Sequence, residues 1–142
     1  MMKLDNQLCF RFYTVSRLIT RAYQPFLDKL GLTYIQYVVM LALWEEDQVP
    51  ISALVKRLGL NTNTLTPLLK RMEEAGLIQR TRSKVDERSV IISLTDKGAS
   101  MYEQAQYIPE EIQNSLSEDK LSEQEYLALR DQLDRLILLL NK

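Results

Sequence analysis

The sequence predicts a mainly α-helical fold that carries one small β-hairpin. Three observations lead there. Apolar residues recur at helical spacing through most of the 142 residues. Thr33 to Gln36 and Ser122 to Glu125 each have the form of a capping box, which marks a helix start. Only residues 77–94 change pattern, to two short runs rich in β-branched residues around a polar stretch.

Each element follows from local signals. Leu8, Phe12, Val15, Ile19, Tyr23 and Phe26 place a long helix over residues 5–30. Pro25 should kink or interrupt it, and Gly31 should end it. Thr33 opens a second, apolar helix that runs to about Glu45. Val49-Pro50 reads as an extended link, one rung of a small sheet. Ile51 to Leu58 is a short helix, Gly59-Leu60-Asn61 a tight connection, and Thr62 to Ala75 a further helix closed by Gly76. Pro67 is placed near its first turn, where a missing N–H matters least. Leu77–Arg82 and Ser89–Leu94 are strands joined by the tip Ser83–Arg88. Thr95 caps a helix running toward Tyr107, and Pro109 breaks or restarts it. The final helix carries the apolar stripe Leu129, Leu133, Leu136, Ile137 and Leu140.

The order short helix, turn, helix, hairpin is that of a winged helix-turn-helix with N- and C-terminal dimerisation helices. A single domain, 1–142, is expected: residues 33–107 form the winged region, and 1–32 and 108–142 the dimerisation helices. The C-terminal stripe has no partner within a compact winged-helix core. Leu4, Leu8 and Phe12 are its expected counterpart, which predicts a homodimer.

Composition removes most enzyme classes. The chain has no histidine, one cysteine and four glycines. Ser-His-Asp and Cys-His catalysis, histidine metal ligation, an intramolecular disulfide and a Gly-rich phosphate loop are therefore excluded. No cofactor and no metal is expected, and a non-enzymatic role is favoured. No apolar run approaches the ~18 residues that cross a bilayer, and no signal-peptide pattern opens the chain. A cytoplasmic protein without membrane attachment is expected.

Net charge is −1, yet charge is unevenly spread. Residues 56–88 hold eight positive and four negative side chains, whereas residues 89–142 hold five and ten. A basic centre between acidic flanks suits a domain that meets phosphate with one segment. In a helix-turn-helix the second helix enters the major groove by its N-terminal end. Here that end is Asn61, Thr62, Asn63, Thr64 and Thr66, whose side chains suit base edges and thymine methyls. The same residues are also good helix caps. Lys70 and Arg71 follow as phosphate contacts. The strands and tip supply Arg80, Arg82, Lys84 and Arg88, with Asp86 placed to pair with an arginine and stiffen the tip. A wing of this length reaches the minor groove, where arginine is attracted by negative potential. Double-stranded DNA is the expected partner.

A lone cysteine on an apolar helix is ordinarily a small buried hydrophobe. Cys9, however, lies near a helix start, where the dipole favours thiolate, and Tyr13 stands one turn on.

Leu65-Thr66-Pro67-Leu68-Leu69-Lys70-Arg71-Met72-Glu73, with Gly76-Leu77-Ile78, Asp86-Glu87-Arg88 and Ile92-Ser93-Leu94-Thr95-Asp96-Lys97-Gly98, resembles the MarR family of winged-helix regulators. Gln7-Leu8-Cys9-Phe10 with Leu32-Thr33-Tyr34-Ile35-Gln36-Tyr37 resembles the OhrR type, which senses organic hydroperoxides. The resemblance covers nearly the whole chain. It implies a triangular homodimer with interlocked terminal helices on a palindromic operator. It also implies that Tyr23 and Tyr34 hydrogen-bond the reactive sulfur of the other subunit. The one-cysteine pattern implies that a sulfenic acid at Cys9 is captured by a small thiol as a mixed disulfide or oxidised further. Asn61-Thr62-Asn63-Thr64 departs from the family's common Asp-Ser-Gly-Thr or Asp-Thr-Gly-Thr opening, which bears on the operator sequence. The expected function is a repressor that releases DNA on Cys9 oxidation. The alternatives are a MarR-type regulator released by a small aromatic ligand, with Cys9 structural, and a thiol peroxidase. One cysteine without evident oxyanion donors disfavours the peroxidase.

Overall fold

The computed structural model describes residues 2–115 and 121–141. They fall into two compact units, Met1–Ile108 and Pro109–Lys142.

The first unit opens with a 3-10 turn, Leu4–Asn6, and the long helix α1, Leu8–Leu30. The helix starts three residues later than its apolar spacing suggests, because extended Gln7 separates it from the turn. Pro25 does not interrupt it. Pro25 is exposed, so water can serve the Arg21 carbonyl that the missing N–H leaves free. Gly31, at φ 68°, closes α1 in the left-handed region, and the Leu32 N–H donates back to the Leu27 carbonyl at 3.1 Å.

Helix α2, Tyr34–Glu45, begins with the expected capping box. The Gln36 N–H donates to Thr33 Oγ1 at 3.3 Å, and the Thr33 N–H donates to Gln36 Oε1 at 3.0 Å. Tyr37, Val39, Met40, Ala42 and Leu43 are all buried, so α2 runs through the core. Strand β1, Val49–Pro50, leads into α3, Ile51–Leu58, and then α4, Thr62–Glu74. Leu65, Leu68, Leu69 and Met72 form the buried face of α4, and Leu54 is the buried residue of α3. Pro67 is the sixth residue of α4, beyond the first turn. Its missing N–H therefore leaves the Asn63 carbonyl without a helical donor.

Strands β2, Ile78–Arg82, and β3, Val90–Leu94, pair antiparallel, with Ile78 opposite Leu94 and Arg82 opposite Val90. β1 adds to the other edge of β3, giving the order β1-β3-β2. Asp47 Oδ1 secures that edge by accepting from the Leu94 N–H at 2.8 Å. The segment after β3 forms two short helices, α5, Asp96–Ser100, and α6, Tyr102–Ala105, where the sequence suggests one.

Two ties hold the hairpin to the helices. Glu73 of α4 accepts from Arg80 of β2 three times: from its main-chain N–H at 2.9 Å, Nε at 3.2 Å and Nη2 at 3.0 Å. These hydrogen bonds hold the Glu73 carboxyl below its ordinary range, the side-chain bonds contributing most. At the hairpin root, Trp44 Nε1 donates to the Gly98 carbonyl at 3.0 Å, and the Thr95 N–H to the Leu77 carbonyl at 3.1 Å. Gly98 has to be glycine, because a Cβ would run into that Leu77 carbonyl oxygen.

The second unit contains α7 and α8. Helix α7, Ile108–Ser115, carries Pro109 in its first turn, so the proline restarts a helix. Helix α8, Glu123–Leu140, opens with the Ser122–Glu125 capping box. Leu129, Ile137 and Leu140 are exposed, and Leu133 and Leu136 half-buried.

Three outcomes follow. Gly98→Ala should destabilise by about 3 kcal/mol, since backbone cannot yield as a side chain does. Gly31→Ala should cost about 1–2 kcal/mol, for its left-handed φ alone; nothing lies within 4 Å of an added Cβ there. Urea unfolding gives both values, and equal losses would contradict the close approach. Glu73→Gln should lower stability at neutral pH. A depressed folded pKa stabilises above the ordinary 4.5 and is lost as pH falls through the folded value, so the gap between the two proteins should close in acid. A gap that does not narrow at all as pH falls below 4.5 would contradict it.

Candidate nucleic-acid interface and thiol site

The exposed face of α4 gathers the polar residues named from the sequence. Thr62, Asn63, Thr64, Thr66, Lys70 and Arg71 are exposed, opposite the buried leucines. Asn61 has a different job: its Oδ1 caps the helix, accepting from the Thr64 N–H at 2.8 Å. The helix start is thereby fixed, and the N–H groups and positive dipole end of α4 face outward with the threonines.

The wing is ordered by its own hydrogen bonds. Ser83 Oγ accepts from the Val85 and Asp86 N–H groups at 3.2 and 3.3 Å. The Ser83 N–H donates to the Ser89 carbonyl, and the Ser89 N–H to the Asp86 carbonyl, both at 2.9 Å. Asp86 does not pair with an arginine. Its Oδ1 accepts from the Arg88 main-chain N–H at 3.0 Å, because the two-residue spacing favours a side-chain-to-backbone turn. Arg82 donates through Nη1 to the Glu87 carbonyl at 3.2 Å, and Arg80 is engaged by Glu73. These two arginines build the wing. Among the described residues, the Lys84 and Arg88 side chains take no hydrogen bond or ion pair, and both are exposed. Of the cations singled out in the sequence, these two and the exposed Lys70 and Arg71 carry no such tie.

Cys9 is the second residue of α1 and is exposed. Tyr13 stands one turn on and is also exposed. Tyr23 lies 14 residues beyond Cys9 on the same helix, a rise of about 21 Å. The structure therefore separates Cys9 and Tyr13 from Tyr23 within one chain. It does bring Tyr23 and Tyr34 together, edge to face at 5.2 Å between ring centroids.

Tyr37 is a third member that sequence reasoning leaves in the core. Its ring lies 5.7 Å from Tyr23 and 6.4 Å from Tyr34. Burial, with the phenols of Tyr23 and Tyr34 beside it, pushes its hydroxyl up to about 12. Its spacing of three from Tyr34 is the available signal, since such residues share a helix face. Along α1, Leu8, Phe10, Phe12, Val15, Leu18 and Ile19 are exposed, as is Leu4 before it. Among the described residues, no single helix is both long and apolar enough to cross a membrane.

The family described as transcriptional regulator SarA/Rot matches residues 21–105, more than half of the chain. The organic hydroperoxide resistance transcriptional regulator of Bacillus subtilis (strain 168) is 54% identical over 108 residues, covering 76% of this chain and 74% of that protein. Two structures of AbfR, a protein of Staphylococcus epidermidis, are also similar. Reduced AbfR bound to DNA superposes with a TM-score of 0.84 at 38% identity, over 99% of this chain and 96% of that one. Overoxidized AbfR bound to DNA gives 0.77 at 38% identity, over 97% and 96%. A mutant MarR from E. coli complexed with operator DNA shares the fold, with a TM-score of 0.83 at 22% identity over 92% and 93%. The protein belongs to the MarR/SarA-type family of winged-helix transcriptional regulators.

Proposed function

We propose that the chain is a homodimeric DNA-binding repressor that releases its operator when an organic hydroperoxide oxidises Cys9. The observation that carries this reading is the placement of the thiol. Cys9 is exposed at the start of α1, and Tyr23, which packs on Tyr34, lies about 21 Å further along the same helix. A second copy running antiparallel along α1 covers the apolar residues between them and sets its tyrosines against Cys9. The exposed leucines of α8 add to the same dimer, each buried leucine contributing ~2 kcal/mol. Residues 1–32 and 108–142 are then dimerisation segments and 33–107 the DNA-binding region.

Phenol O–H groups donating to the sulfur favour thiolate without any histidine. The thiolate attacks the outer peroxide oxygen and the O–O bond breaks. The alkoxide leaves, takes a proton and departs as an alcohol, and the sulfur becomes a sulfenic acid. With one cysteine per chain, a small cellular thiol condenses with that acid, forming a mixed disulfide and water. An adduct at the start of α1 sits inside the dimer seam and changes the spacing of the two α4 helices. Half-site spacing is a rigid geometric requirement, so affinity falls. Before oxidation, Thr62, Asn63, Thr64 and Thr66 face the major groove, Lys70 and Arg71 the backbone, and Lys84 and Arg88 the minor groove. The similarity to reduced AbfR bound to DNA and to the hydroperoxide-resistance regulator supports this assignment.

Cys9→Ser should bind operator DNA like the parent and stay bound after stoichiometric organic hydroperoxide, while the parent dissociates. Fluorescence anisotropy with intact-mass analysis reads both properties. Release of Cys9→Ser as readily as the parent would make Cys9 structural and favour release by a small ligand.

A further inference from the structure

We propose that Tyr37 is a positioning residue for the redox site: its buried ring, against the rings of both Tyr23 and Tyr34, holds those phenols as one fixed pair for the Cys9 sulfur of a second copy. The proposal rests on the reading of Tyr23 and Tyr34 given above. The two tyrosines come from different elements, Tyr23 from α1 and Tyr34 from the first residue of α2. The Thr33–Gln36 capping box fixes the backbone at Tyr34, but only packing can hold its ring in one rotamer. Tyr37 lies one turn further into α2 and is 2% exposed, whereas Tyr23 and Tyr34 are half-buried and keep an open side.

The three centroid distances, 5.2, 5.7 and 6.4 Å, all lie in the range of favourable aromatic pairs. Tyr37 is itself backed by Trp44, at 6.4 Å and 67° between ring planes. Trp44 is anchored in turn by its indole bond to the Gly98 carbonyl. The cluster is thus seated on the root of the wing. A hydroxyl pushed up to about 12 keeps Tyr37 neutral where thiols ionise, so it supplies shape to the site without a competing charge. Shape matters because hydrogen bonds weaken steeply with angle. Two phenols aimed in advance also spend less rotamer freedom when the sulfur arrives.

The test is the rate of Cys9 alkylation by iodoacetamide in the full-length dimer, at pH 7 and at pH 10, with thermal unfolding in parallel. Tyr37→Leu should slow alkylation about tenfold at pH 7, the loss that accompanies one loosened charge-assisted bond. At pH 10, where thiols are ionised regardless, it should match the parent. Tyr37→Phe keeps the ring and should restore most of the pH 7 rate. Should Tyr37→Leu not give a folded dimer, Tyr37→Met keeps volume without a flat ring and carries the same comparison. Lower thermal stability with an unchanged ratio of the two rates would overturn the proposal, leaving Tyr37 as core packing. The double variant Tyr23→Phe with Tyr34→Phe separates the two levels. If it leaves the ratio unchanged, the reading of the thiol site itself is overturned. If it lowers the pH 7 rate while Tyr37→Leu does not, only the role of Tyr37 falls.

Discussion

An α-helix rises about 1.5 Å per residue, and that rigid ruler sets the organisation of this protein. Cys9 and Tyr23 share α1, so no side-chain motion can bring them together within a chain. The residues between them expose Phe12, Val15 and Ile19. A thiol at one end, a phenol pair at the other and an apolar face between are complementary to a second copy turned end for end. The proposed sensing site thus exists only in the assembled protein, which links detection of oxidant to the geometry of the dimer.

The DNA-reading surface depends on the first unit being stiff. Glu73 and Arg80 fasten β2 to α4, so wing and recognition helix form one block. Gly98 allows the following helix to press onto the Leu77 carbonyl, and Trp44 locks that contact from α2. Under the proposed mechanism, such a block passes a change at the dimer seam on as rotation instead of absorbing it. The arginines that build the wing are distinct from those proposed to contact DNA. Arg80 is engaged by Glu73 and Arg82 gives one bond to the Glu87 carbonyl, while Arg88 is held at its backbone by Asp86 with its guanidinium exposed.

Much of this is legible in sequence where the signal is local. The capping boxes at Thr33 and Ser122, the Gly31 closure and the hairpin over residues 77–94 each depend on a few neighbouring residues. Pro67 is the sixth residue of a helix whose Thr62 start is legible in the sequence, so its place past the first turn follows from counting along the chain. The Glu73–Arg80 tie crosses from a helix into a strand, and periodicity says nothing about how those two elements face. Asp86 reads as the partner of an arginine side chain because charge is visible in a sequence and backbone turn geometry is not. Tyr37 reads as one more apolar position of α2, since only the fold reveals that Tyr23 arrives beside it.

The central claim, a thiol site built across two chains, is tested most directly by mixing subunits. One chain carries Cys9→Ser, and the other carries Tyr23→Phe with Tyr34→Phe. In the mixed dimer, the one remaining Cys9 belongs to the chain without phenols and faces the intact tyrosines of its partner. The account predicts that this cysteine reacts with organic hydroperoxide at the parental rate. In homodimers of the double-Phe chain it should react slowly. A mixed dimer as slow as the double-Phe homodimer would place the tyrosines with the cysteine of their own chain, or outside the site altogether, and would contradict the account.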